Sequence, residues 1–128
     1  MIRDISIENF RGFESIDISD MNRITLISGR NNVGKSSILE ALFLLMDHSS
    51  SDSFAKINGF RGSITGGAVA LWSPLFYQMD TEREISICLK DDLHSSWKLT
   101  LTLNLNIFRH KTSERGNLTC LFREKFSE

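Results

Sequence analysis

Gly29-Arg30-Asn31-Asn32-Val33-Gly34-Lys35-Ser36 fits the pattern Gly-x-x-x-x-Gly-Lys-Ser/Thr, a loop whose backbone amides wrap the phosphates of a nucleotide. Its flanks decide whether the match carries meaning. Before it, Arg23-Ile24-Thr25-Leu26-Ile27-Ser28 is short and β-favouring. After it, Ile38 to Met46 is too long and Leu-rich for a strand and reads as a helix. Strand, loop and helix thus stand in the order that a phosphate-binding loop requires, and nucleotide binding is the expectation that follows. The opposing reading, a glycine turn with a chance lysine on a surface helix, leaves that order to coincidence.

The residue types suit the chemistry. Gly29 and Gly34 allow backbone angles and a close approach that a Cβ would hinder, and the loop residues Asn31, Asn32 and Val33 between them supply further amides. A helix starting near Lys35 aims its unpaired N–H groups and positive dipole end at an anion. Lys35 is expected to bridge β- and γ-phosphate oxygens of ATP, Ser36 to offer its hydroxyl to Mg²⁺, and Ser37 to reach the α-phosphate side with a hydroxyl or amide.

A chain of 128 residues with 41% hydrophobic residues buries one modest core, so a single lobe is expected. Fifteen basic and sixteen acidic side chains leave a formal charge of −1, which gives no bulk attraction to nucleic acid. The small basic cluster Arg109-His110-Lys111 with Arg115 reads as a solvated turn. Two cysteines, Cys88 and Cys120, make no disulfide framework, and no Cys/His spacing suits zinc. A reducing, cytoplasmic setting is expected. No signal peptide or membrane span is evident: the apolar run around Ala41 to Met46 is far short of the roughly 20 residues needed to cross a bilayer. Its almost all-round apolarity predicts a helix buried against a sheet.

Alternation of Ile5 with Ile7 and of Ile16 with Ile18 predicts two strands ahead of the one that enters the loop. After the helix, residues 48 to 67 are rich in Ser and Gly and are expected to be mobile. Ala68 to Met79, interrupted by Pro74, reads as a broken helix or turn, with Trp72, Phe76 and Tyr77 expected in the core. Ile85, Ile87 and Leu89 alternate with polar residues, as do Trp97, Leu99, Leu101, Leu103, Leu105 and Ile107, so an antiparallel hairpin is predicted, with Leu118 to Arg123 as a third strand. The expected layout is 1–47 for strands, loop and helix, 48–83 for a mobile connection, and 84–128 for an antiparallel β-subdomain.

The opening, Ile5-Ser6-Ile7-Glu8-Asn9-Phe10-Arg11-Gly12-Phe13 and then Gly29 through Ser37-Ile38-Leu39-Glu40-Ala41-Leu42, resembles the RecF, SMC and OLD-like ATPases, which have ABC-type heads. Leu71 to Asp80 is similar to the OLD-like branch of AAA-type ATPases. The resemblance implies an α/β fold, the N-terminal lobe of a P-loop NTPase, with a strand-loop-helix core beside an antiparallel β-subdomain. It also implies a nucleotide role for Arg11, whose other reading is a surface arginine in a tight turn. Asn31 matches the asparagine of the family's loop, either bonding the phosphate region or bracing the loop.

The remaining parts that the resemblance calls for have no convincing copy. Ile85 to Asp92 ends in two acids, but its strict alternation describes a half-exposed antiparallel strand, whereas a Walker B strand in a covered parallel sheet is continuously apolar. Ser63-Ile64-Thr65-Gly66-Gly67 comes too soon after the loop to be the signature, and Gln78 reads as an ordinary polar residue rather than the metal-sensing glutamine. The expectation is therefore an incomplete head, binding ATP and turning it over poorly by itself. A homodimer, a missing C-terminal lobe or a partner subunit would complete it, and DNA would be met through the full assembly. The alternative is a non-catalytic nucleotide-binding or regulatory fragment that docks on another subunit.

Overall fold

The computed structural model describes residues 1–47, 56, 57, 59, 61, 62, 72–93, 95–104 and 117–126, with 104 and 117–126 described by backbone alone. Five strands form one antiparallel sheet: β1 (Ile2–Phe10), β2 (Phe13–Ile18), β3 (Ile85–Asp91), β4 (Ser95–Asn104) and β5 (Asn117–Phe126), in the order β2-β1-β3-β4-β5. The helix α1 (Lys35–Met46) covers a face of it, and two short 3₁₀ turns, Ser73–Leu75 and Tyr77–Met79, flank Phe76.

Period-two sequence builds the buried face. Ile7 lies opposite Ile16 on β2 and Ile87 on β3, and Ile87 in turn lies opposite Leu99 on β4. The next row, two residues along, is Ile18, Ile5, Leu89 and Trp97. Alternate side chains share one side of a pleated strand, so these rows form a continuous apolar floor. Ile38, Ala41, Leu44 and Leu45 of α1, with Leu75 and Phe76, close the core above it.

The α/β class agrees with the sequence reading, as do the β3–β4 hairpin and the strand over Leu118 to Arg123. The early and late strands share one sheet, because β1 pairs directly with β3. Two expectations are corrected. Arg23 to Ser28 forms no strand, and Ile24 and Leu26 stand 91% and 88% exposed. A β-favouring segment becomes a strand only by pairing, and no neighbouring strand pairs with it among the described residues. Finally, α1 is not buried all round. Leu39 and Met46 remain exposed at 63% and 75%, because the sheet meets only one side of the helix.

Phe76 is buried and Trp72 packs against the core at partial exposure, as expected, while Tyr77 is half-buried. Residues 48–55, most of 58–71 and Leu105 to Ile107 lie outside the described residues, and with them most of the stretch expected to be mobile. Among the described residues no helix is long and apolar enough to cross a membrane.

Candidate functional site

The loop from Gly29 to Gly34 leads straight into α1. Gly34 takes φ 98° and ψ 10° at the helix N-cap, a left-handed conformation that favours glycine. No side chain caps the start of α1, and no acidic residue stands in its first turn. The first amides of a helix have no intrahelical carbonyl to bond, so the first turn offers donors and a positive dipole end.

Lys35 turns back over the loop. Its Nζ donates to the Gly29 carbonyl at 2.8 Å and also to the Arg30 carbonyl. The ammonium is thus held inside the loop by neutral acceptors, which an anion outcompetes because a charge-assisted bond is the stronger kind. Ser36 is exposed and Ser37 is buried.

Two cavities flank the loop, of about 620 Å³ and 470 Å³, and Asn32, Gly34, Ser37 and Arg61 line both. The larger adds Arg11, Gly12, Val33 and Pro74, and the smaller adds Asn31, Lys35, Ser36 and Glu40. Every site residue expected from the sequence therefore lines one cavity or the other, except Gly29, whose contribution is its carbonyl to Lys35. Gln78 lines neither; it is exposed and donates from Nε2 to the Tyr77 hydroxyl at 3.3 Å.

Arg11 is fixed in place rather than open to solvent. It follows β1 in a two-residue turn with φ 52°, and its amide donates to the Leu75 carbonyl at 2.8 Å. Its Nε donates to Glu40 Oε2 at 2.9 Å and its Nη1 to the Pro74 carbonyl at 3.1 Å. Burial pushes the guanidinium's pKa below its ordinary value; the Glu40 charge and hydrogen bond oppose this, and the nearby Arg61 charge adds to it. Arg61 approaches the same carboxylate from the other side, donating from Nε to Glu40 Oε1 at 2.8 Å and from Nη2 to Ser37 Oγ at 3.2 Å.

Glu40 and Arg61 are the residues that sequence reading passed over. Glu40 had a legible signal: it lies three and four residues after Ser37 and Ser36, on the same helical face. Arg61 had none, since it stands in a glycine-containing stretch that reads as loop.

The donor set of amides, one ammonium and guanidinium groups suits a polyanion. For a divalent ion, the described residues hold no cluster of three or more His, Cys, Asp or Glu. One exposed serine hydroxyl fits Mg²⁺, which keeps several waters and shares a substrate's phosphates.

Comparison with known proteins bears on this arrangement. Residues 1–126 match the family model described as AAA ATPase domain. An "ATP/GTP phosphatase" of Helicobacter pylori is 33% identical over 91 residues, covering 68% of this chain and 24% of the relative. An uncharacterized protein of Methanocaldococcus jannaschii is 38% identical over 92 residues, covering 68% of this chain and 41% of the relative. The matched part of the chain thus spans well under half the length of either relative.

Proposed function

The chain belongs to the AAA ATPase domain family, and from that premise we propose that it binds ATP with Mg²⁺ through residues 29–37, as the N-terminal part of an OLD/RecF/SMC-like ATPase acting in DNA metabolism or defence against foreign DNA. The observation that carries this reading is the start of α1: left-handed Gly34, an uncapped first turn, and the Lys35 ammonium resting on loop carbonyls. Gly34, Lys35 and the amides after them hold the phosphates, Ser36 offers its hydroxyl to the ion, and Ser37 faces the α-phosphate side. When bound beside Ser36, Mg²⁺ would supply neutralisation of phosphate charge. Arg11 serves the site from behind, through Glu40. The name of the Helicobacter relative, ATP/GTP phosphatase, supports nucleotide turnover by a whole protein of this kind.

A second reading, a non-catalytic nucleotide-binding piece that docks on another subunit, is favoured by the exposure of Ile24, Leu26, Leu39 and Met46. Both readings share the same grip on ATP and part at turnover. The test is calorimetric ATP binding and phosphate release by this chain and by Lys35→Ala, with and without Mg²⁺. We expect Mg²⁺-dependent binding that Lys35→Ala abolishes, with turnover near background. Unchanged binding by Lys35→Ala overturns the site, and brisk turnover by the chain itself overturns its incompleteness.

A further inference from the structure

We propose that Glu40 is a positioning residue that tethers Arg61 beside the phosphate loop, and that Arg61 takes a phosphate of a nucleoside di- or triphosphate in place of the Ser37 hydroxyl. This rests on the nucleotide reading above and adds to it a ligand and its support.

A carboxylate one turn into the helix after the loop would ordinarily repel a polyanion. Here its two oxygens are taken by two cations, Arg11 on Oε2 and Arg61 on Oε1, so the three groups together carry a net positive charge. The arginines are not equivalent. Arg11 has a side chain only 6% exposed and also bonds the Pro74 carbonyl, so it is the fixed counter-charge that orients Glu40. Arg61 is 42% exposed and lines both cavities. Its guanidinium divides its work: Nε is held by charge, while Nη2 reaches a neutral hydroxyl at 3.2 Å. The second bond is the weaker, and a phosphate oxygen is the better acceptor for it. Exchange at Nη2 leaves the Nε tether intact, so Arg61 moves from Ser37 to phosphate without losing its anchor. The planar fork makes this division of labour available to arginine and not to lysine.

The experiment measures ATP affinity by calorimetry for the wild-type chain and for Arg61→Ala, Arg61→Lys, Glu40→Gln, the double variant Glu40→Gln/Arg61→Ala, and Lys35→Ala. Arg61→Ala should weaken ATP about tenfold, the loss expected for one charge-assisted bond. Arg61→Lys should recover little of it, and the double variant should bind no worse than Arg61→Ala, because Glu40 acts through Arg61. Glu40→Gln also disturbs buried Arg11 and is checked by melting; Arg61→Ala, on the exposed side, keeps the test independent of folding. Wild-type affinity in Arg61→Ala, full rescue by Arg61→Lys, or additive losses in the double variant overturn the inference, provided that Lys35→Ala has lost binding. Unchanged binding in Lys35→Ala as well means that the phosphate-loop reading itself has failed.

Discussion

The ring of Phe13 occupies the space that a side chain on Gly34 would need: a Cβ there would stand 2.5 Å from Phe13 Cζ. The first residue of β2 is thereby packed against the hinge between loop and helix. Gly34→Ala meets two penalties, the ring and a φ of 98°. Together these should cost roughly 2–4 kcal/mol in chemical denaturation. Shortening the ring in Gly34→Ala/Phe13→Leu relieves the contact but not the backbone, so only part of the loss should return.

Arg11→Lys tests whether geometry or charge holds the turn after β1. Arginine bonds Glu40 and the Pro74 carbonyl at once, whereas an ammonium on a flexible stem cannot match both directions. A loss of about 1–2 kcal/mol is expected in urea unfolding, the scale of one charged hydrogen bond. A lysine variant as stable as the wild type would mean that the fork is immaterial.

Position in the sheet should grade the cost of core truncation. Ile87 has 0% exposure and touches cross-strand neighbours on both sides, Ile7 and Leu99. Ile16 is partly exposed on edge strand β2 and has one such neighbour, Ile7. Ile87→Ala should cost about 3–4 kcal/mol and Ile16→Ala about 1 kcal/mol, because a cavity forms only where packing is complete. Equal losses in thermal or denaturant unfolding would contradict the packing described.

These contrasts also mark what the sequence could tell. Period two gave β1 to β4 because half-buried strands write their burial as alternation, and the loop was legible because Gly34 and Lys35 answer to local geometry. The pairing of β1 with β3 was not legible: both strands alternate, and alternation names a face without naming a neighbour. Arg23 to Ser28 misled for a related reason, since propensity measures fit to a pleated surface and not the presence of one. Arg61 was hidden because its partners, Ser37 and Glu40, lie 24 and 21 residues away in sequence.

The N-terminus offers a test in acid. The Met1 ammonium pairs with Asp92 Oδ1, and the Asp92 amide donates to the Met1 carbonyl at 3.0 Å, fastening the start of β1 to the turn between β3 and β4. The hydrogen bond from the ammonium is the main cause holding the Asp92 carboxyl below its usual 3.8. A carboxyl depressed in the folded state binds its proton more readily when unfolded, so its contribution is present above the unfolded pKa and disappears as pH falls through the folded one. Asp92→Asn should therefore be less stable than the wild type at neutral pH and should converge with it in acid, below the native titration. Acetylation of the Met1 amine removes the partner, so the Asp92 midpoint, followed by carboxyl-carbon NMR, should rise towards 3.8. A midpoint indifferent to acetylation would place the cause elsewhere in the turn.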